Sequence, residues 1–226
     1  MKIAAFIFDL DGVLTDTSEF HYRGWKRLAD EEGLPFTRQD NEALRGVSRR
    51  ESLELLLKGR QIDEATAQAW MERKNRYYLE WVEKMTPSDL LPGALDLLHE
   101  LRSAGIKTVI ASSSKNAGTV VEKLNLSGEI DAVVDARLVP HSKPAPDLFL
   151  KAAELAAAPP RQCVVVEDAA SGIEAGHAAG MLTLGVGPRD RLGKADVIIP
   201  NLEKVKLASL LKKLTSIHSP APVSKS

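Results

Sequence analysis

The sequence predicts a doubly wound α/β fold: a parallel sheet covered by helices on both faces, with a helical insertion behind the first strand. Two features carry the prediction. Short apolar runs alternate with helix-like stretches over most of the chain, as right-handed βαβ crossovers require. The one long interval without a strand-like run, about 17–87, shows helical periodicity instead. At 226 residues the chain has roughly one and a half average domains' worth of sequence, which suits a core with an insertion.

Taken in order, Ile3–Phe8 is an apolar run of the kind buried on both faces of a parallel sheet. In the insertion, Leu53, Leu56 and Leu57 in one segment and Trp70, Tyr77 and Trp81 in another mark amphipathic helices. The chain then alternates: Gly93–Ala104 as helix, Ile106–Ala111 as strand, Ala117–Leu124 as helix and Asp131–Val134 as a weaker strand. Asp147–Ala157 as helix, Cys163–Val166 as strand, Gly172–Ala179 as helix and Leu182–Val186 as strand complete the pattern. The domains expected are a Rossmann-like core over 1–16 and 88–215, a helical cap over 17–87 and a disordered tail over 216–226, which mixes Ser, Pro, Ala and Lys. An insertion leaving after the first strand stands above the carboxyl ends of the strands, where open α/β sheets bind ligands, so it is placed to act as a lid.

Composition excludes several functions. Thirty basic against thirty-one acidic residues leave a net charge of −1, with no global field to hold a polyanion and no basic patch interleaved with aromatics, so no nucleic acid is expected. The single cysteine, Cys163, makes neither an internal disulfide nor a cysteine metal site, and its apolar run suits inert burial. No apolar run approaches the roughly 20 residues that span a bilayer, and the first stops at Asp9, too soon for a signal peptide. A cytoplasmic monomer with no membrane partner is expected.

Chemistry gathers at the strand ends. Asp9 and Asp11 project to the same side where the first strand stops, with Gly12 permitting a tight turn. Taken alone, Asp-x-Asp-Gly is equally the pattern of a capped turn. Glu167 and Asp168 end another strand, and four acids on two strand ends ask for a hard divalent cation, Mg²⁺ by preference. Ser112 ends the second strand just before Ser113, Ser114, Lys115 and Asn116, where a hydroxyl and free backbone N–H groups favour a phosphate or simply cap a helix. Lys143 before Pro144 supplies a cation that would otherwise be solvated surface.

Asp9-x-Asp11-Gly-Val-Leu-Thr, Ser112, Lys143-Pro144 and Glu167-Asp168, in that order, resemble the four motifs of the haloacid dehalogenase superfamily of aspartate-nucleophile phosphotransferases. The insertion resembles its α-helical cap. The resemblance implies Asp9 as nucleophile, Asp11 as general acid and base, Ser112 and Lys143 on the transferring phosphoryl group, and Mg²⁺ held by Asp9, the Asp11 carbonyl, Glu167 and Asp168. Such a site would work by positioning and charge neutralisation.

The cap narrows the expectation. Ser48-x-x-Glu51 is a capping box that starts a helix, and Arg49 and Arg50 in its first turn oppose the helix dipole unless an anion sits there; two solvated arginines are the other reading. His21-Tyr-Arg-Gly-Trp25, Gly46-Val-Ser-Arg49, Arg73-Lys74-Asn75, Ala111-Ser-Ser-Ser-Lys-Asn116 and Lys143-Pro-Ala-Pro-Asp147 are similar to the branch of the superfamily that isomerises β-glucose phosphates, as far as about Gly187. That similarity implies interconversion of β-D-glucose 1-phosphate and D-glucose 6-phosphate through a phospho-enzyme and β-D-glucose 1,6-bisphosphate. It puts Arg49, Ser114, Lys115 and Asn116 on the non-transferring phosphate. Gly46, Val47 and Ser48 would line the sugar with Trp25 nearby, and His21 and Lys74 would link cap closure to Asp11. His21 also reads as a satisfied helix histidine and Lys74 as solvated surface. The identical core motifs serve sugar-phosphate phosphatases, and a sugar-phosphate sensor without turnover is the third reading.

Overall fold

The computed structural model describes residues 2–217. Six parallel strands form one sheet: β1 (Ala5–Phe8), β2 (Lys107–Ser112), β3 (Ala132–Asp135), β4 (Cys163–Glu167), β5 (Leu182–Val186) and β6 (Val197–Ile199), in the order β3-β2-β1-β4-β5-β6. That order reverses between β1 and β4, which opens a ligand crevice at their carboxyl ends. Phe8 pairs with Val166, so the next residues, Asp9 and Glu167, are neighbours by register.

Between β1 and β2 the chain forms α1 (Ser18–Glu31), α2 (Arg38–Glu42), α3 (Arg49–Leu57) and α4 (Glu64–Val82), then returns through α5 (Ala94–Ser103). The remaining helices are α6 (Ala117–Lys123), α7 (Asp147–Leu155), α8 (Ala170–Ala178), α9 (Arg189–Leu192) and α10 (Leu207–Ser216). Strand alternation sorts the core into two faces. Phe6, Phe8, Val164 and Val166 pack with Leu97, Leu101, Val120 and Leu210 on one face; Ile7, Val109 and Val165 pack with Leu148, Phe149 and Ala175 on the other. The insertion has its own core around Trp25, Leu28, Leu53, Leu56 and Trp70, while Tyr78 and Val82 at the end of α4 join the first face and tether it.

Both passages between insertion and sheet run side by side. The Leu91 amide donates to the Leu14 carbonyl at 2.8 Å, and the Thr15 hydroxyl donates to the Asp89 carbonyl at 2.8 Å. Three elements lie beyond the sequence expectations: the short α9, β6, a three-residue edge strand, and α10 with buried Leu207, Leu210 and Leu214. Ser216, expected in a disordered tail, instead ends α10, because the leucine stripe carries the helix to it; the tail expectation for 218–226 falls outside the described residues. No helix among the described residues is long and apolar enough to cross a membrane.

Candidate active site

The loop after β1 and the end of β4 are built around close approaches. Gly12 has φ +87°, and a Cβ there would stand 2.4 Å from Asp168 Oδ2, so both backbone and space require glycine. A Cβ on Gly172, in the first turn of α8, would stand 1.9 Å from Glu167 Oε1. These two glycines let Asp9, Glu167 and Asp168 converge: all three are buried, with one carboxylate oxygen from each within 4.8 Å of the others. The fully buried Lys143 donates to Asp9 Oδ1 at 2.5 Å, to Glu167 Oε1 at 2.6 Å and to the Ala111 carbonyl at 3.2 Å.

One ammonium among three buried carboxylates leaves negative charge in excess. Burial first, and then the Asp9 charge, push the Asp168 carboxyl up to about 7, against the pull of Arg45, Arg191 and Lys143. Burial also drives Glu167 up to about 8, with Asp9 and Asp168 adding to it and Lys143 opposing. For Lys143, burial works against the charge, but Asp9 and Glu167 outweigh it and hold the pKa above the ordinary value. A raised lysine and a raised carboxyl pull their shared proton in opposite directions. Lysine is by nature the far stronger base and Asp9 and Glu167 raise it further, so the proton stays on Lys143, the ion pairs stand and the pressure on the acids reflects missing positive charge. A buried set of hard oxygen donors short of positive charge fits a divalent cation.

Asp11, whose side chain is 20% exposed, accepts from the Thr17 hydroxyl at Oδ1 and from Ser112 Oγ at Oδ2, 3.3 Å away. Burial and then the Asp9 charge push it up to about 7, although Ser112, Lys143 and Lys74 oppose the shift. His21 Nε2 lies 3.8 Å from Asp11 Oδ1, and its Nδ1 lies 2.7 Å from Lys74 Nζ. Burial is the main force holding the pKa of both well down; Lys74 and Arg49 add to it for His21, and Arg49 adds to it for Lys74 against Asp11. With Lys74 as the donor to Nδ1, the imidazole proton sits on Nε2, facing Asp11. His21 stacks on Tyr78 with ring centroids 4.2 Å apart, and Lys74 Nζ lies 5.0 Å from the Trp25 ring.

A second cluster faces this one across the crevice. The Ser48–Glu51 capping box forms and starts α3. Its two arginines part: Arg50 turns outward to Glu54 and Glu64, while Arg49 points inward and donates to Asn75 Oδ1 at 2.7 Å. Asn116 Nδ2 donates to the same oxygen at 2.8 Å. Burial lowers the Arg49 pKa, so its charge is held in a partly dry place without a carboxylate at hydrogen-bond distance. The cavity between the clusters spans about 730 Å³, open solvent at its mouth included.

Of the expected residues, Asp9, Asp11, His21, Trp25, Arg49 and Lys74 line this cavity. Gly46, Val47, Ser114, Lys115 and Asp168 line it as well. Ser112, Lys143 and Glu167 stand behind them, each hydrogen-bonded to a lining aspartate or to the lysine that holds one. Asn116 reaches Arg49 through Asn75, and Ser48 spends its hydroxyl on Glu51. Sequence reasoning missed Ser18, Asn41, Leu44 and Ser52 on the cavity wall; Ser113, from the run that favours a phosphate, and Arg45 line it too. Ser52 was accessible, since it lies three residues from Arg49 on the same face of α3. The insertion is closed on the sheet: Ser113 Oγ donates to the Gly46 carbonyl at 2.8 Å, and Arg45 donates to Asp168 Oδ2 at 3.1 Å.

Residues 3–180 match the family model for haloacid dehalogenase-like hydrolases. The chain is 41% identical over 210 residues to the beta-phosphoglucomutase of Bacillus subtilis (strain 168), covering 91% of this chain and 93% of that one. It is 34% identical over 183 residues to the fructose-1-phosphate phosphatase YqaB of Escherichia coli (strain K12), covering 80% and 94%. A crystal structure of beta-phosphoglucomutase from Clostridium difficile superimposes with a TM-score of 0.91 at 37% identity, covering 95% of this chain and 98% of that one. A six-stranded parallel sheet with four acids at the ends of two adjacent strands agrees with this likeness, and the chain belongs to the haloacid dehalogenase-like hydrolase family.

Proposed function

We propose that the protein is a β-phosphoglucomutase, interconverting β-D-glucose 1-phosphate and D-glucose 6-phosphate through a phosphorylated Asp9 and β-D-glucose 1,6-bisphosphate. The observation that carries this reading is the second cationic cluster, Arg49 with Ser114, Lys115 and Asn116, facing the carboxylate end across one closed cavity. A phosphatase needs an anchor only for the phosphate it cleaves. A mutase must also hold a bisphosphate by its far phosphate, in either orientation.

In the first half-reaction the sugar C6 hydroxyl attacks the phosphorus of phospho-Asp9. The new O–P bond forms as the Asp9–P bond breaks, and Asp11 takes the hydroxyl proton. The bisphosphate then turns end for end. Asp9 attacks the C1 phosphate and Asp11 returns its proton to the departing C1 oxygen, giving glucose 6-phosphate and phospho-Asp9. An Asp11 pKa of about 7 suits a group that must both take and give a proton near neutral pH. Ser112 and Lys143 hold the transferring group, the Gly46–Ser48 turn and Trp25 bound the sugar, and His21 with Lys74 sets Asp11 as the cap closes. Asp9, the Asp11 carbonyl, Glu167 and Asp168 would hold Mg²⁺, which, when bound, neutralises charge so that carboxylate and phosphate can approach. The closed cap keeps water from the phospho-enzyme.

The test is a coupled assay of α- and β-glucose 1-phosphate with trace bisphosphate and Mg²⁺, run beside hydrolysis of acetyl phosphate. Wild type should turn over the β anomer selectively. Arg49→Ala should lose about 1.5–3 kcal/mol of binding, roughly 10- to 100-fold, in the mutase reaction, with much less change in hydrolysis. A parallel fall in both reactions would mean that Arg49 serves the acid end or the fold, and a wild type that only hydrolyses would make the protein a phosphatase.

A further inference from the structure

We propose that Glu42, Arg45 and Arg191 form a latch over Asp168 that ties the cap to the sheet and trades against the divalent cation: cation binding loosens the latch, and a closed latch weakens cation binding. This rests on the reading of Asp168 as a metal carboxylate.

Four charges alternate around a ring at the cavity mouth, two from the cap and two from the core. Arg45 donates from Nε to Glu42 Oε2 at 3.0 Å and from its terminal nitrogen to Asp168 Oδ2 at 3.1 Å. Across the gap, the Arg191 guanidinium at the end of α9 lies 3.7 Å from the same Asp168 oxygen and 3.5 Å from the same Glu42 oxygen. Each carboxylate oxygen thus faces one arginine from each side of the mouth. The backbone makes room for this: Gly187 has φ +131°, and a Cβ there would stand 3.0 Å from an Arg191 terminal nitrogen. Arg191 Nε is buried with no hydrogen-bond partner among the described residues, while its terminal nitrogens face the two carboxylates.

Two guanidinium groups supply Asp168 with the positive charge that a buried carboxylate lacks. A dication brought to the same carboxylate meets their repulsion at close range, with only 6% of the Asp168 side chain exposed to screen it. Coupling between two events on one carboxylate is reciprocal, so the cation must favour the open mouth as much as the latch disfavours the cation. The loaded enzyme without sugar phosphate then stands open to substrate. An incoming phosphate dianion restores the charge balance and allows closure.

Arg191→Met removes the charge and keeps the stem, whereas Arg191→Lys keeps the charge; Glu42→Gln breaks the bridge without touching Asp168. Mg²⁺ affinity without sugar phosphate is read by titration calorimetry, and closure of the metal-free enzyme by small-angle X-ray scattering. Arg191→Met should bind Mg²⁺ about fivefold or more tightly, the lower end of usual coupling strengths, and Arg191→Lys should stay near wild type. Metal-free Arg191→Met and Glu42→Gln should both scatter as more extended particles than wild type. Unchanged or weaker Mg²⁺ affinity in Arg191→Met overturns the coupling, and unchanged scattering in both variants overturns the latch. A wild type that binds no Mg²⁺ refutes the metal reading and the coupling together, while the metal-free scattering still judges the latch.

Discussion

Lowering the pH should weaken Mg²⁺ binding by an amount that follows from the buried carboxyls. A metal takes a deprotonated carboxylate, so binding below the pKa of Asp168, about 7, must expel a proton. Asp168 alone is counted, which makes the figure a minimum, because Glu167, pushed up to about 8 with the pull of Lys143 included, adds to the count wherever it holds a proton. At pH 5.5 that proton stands about 1.5 pH units below its pKa, costing about 2 kcal/mol at roughly 1.4 kcal/mol per unit, or near thirtyfold in affinity. Titration calorimetry from pH 5.5 to 8.5 should show affinity rising about tenfold per unit and flattening above pH 8. Repeating the pH 5.5 titration in buffers of different ionisation enthalpy should count at least about one proton released per ion. The stability side has a definite sign. Native Asp168 binds extra protons between its ordinary range near 4 and about 7, so its contribution to metal-free stability is lost as pH rises through that window. The Mg²⁺-induced rise in Tm should therefore grow from pH 5.5 to 8. His21, whose lowered pKa acts in the opposite direction, cancels when samples with and without metal are compared at one pH. A Mg²⁺ affinity flat across this range, with no proton released, would refute the placement of the metal at these carboxyls.

Three other perturbations test separate parts of the site. Asp9→Asn should abolish turnover and phosphate incorporation, measured by intact-protein mass after exposure to acetyl phosphate, while circular dichroism stays native. Lys74→Met should separate stability from activity: removing a buried ammonium at conserved volume should hold or raise Tm, and losing the contact that fixes the His21 tautomer should cut kcat about 10- to 100-fold. Gly172→Ala should lose both, because its Cβ would lie 1.9 Å from Glu167 Oε1; thermal unfolding should show a cost of at least about 1–3 kcal/mol.

How much of this was legible depended on whether one element held the whole signal. Asp9 and Asp11 could be placed together because strand alternation alone does it, and the Ser48–Glu51 box forms because its partners are three residues apart. Strand β6 was too short for any pattern, whereas α10 carried a readable leucine stripe. Lys74 reads as solvated within Arg73-Lys74-Asn75, yet it is 2% exposed. The better signal is the spacing of Trp70, Lys74 and Tyr78, which puts the lysine inside the buried face of α4. The ring of Glu42, Arg45, Asp168 and Arg191 has no such trace, since it joins residues up to 149 positions apart on two sides of a closing mouth.

Under the mutase reading proposed above, the charge layout bears on how this cavity would favour transfer to a sugar over transfer to water. At its acid end, Asp9, Glu167 and Asp168 crowd around Lys143, and a phosphoryl group is neutralised there only with a further cation. At its far end Arg49 meets a neutral amide, Asn75 Oδ1, so the guanidinium keeps charge to spend on an anion. A substrate with one phosphate satisfies one end and leaves the other short; a bisphosphate satisfies both. Differential binding of that kind would hold the proposed intermediate through its reversal, where a site with a single anchor would release it. Asp11 stands between the ends with its proton poised near pH 7, and His21 and Lys74 reach it from α1 and α4 of the cap. Proton transfer is thereby tied to a closed cap. Under that reading, water entering an open site would meet a phospho-aspartate whose proton acceptor is not yet held in place, and that mismatch would protect the phospho-enzyme between turnovers.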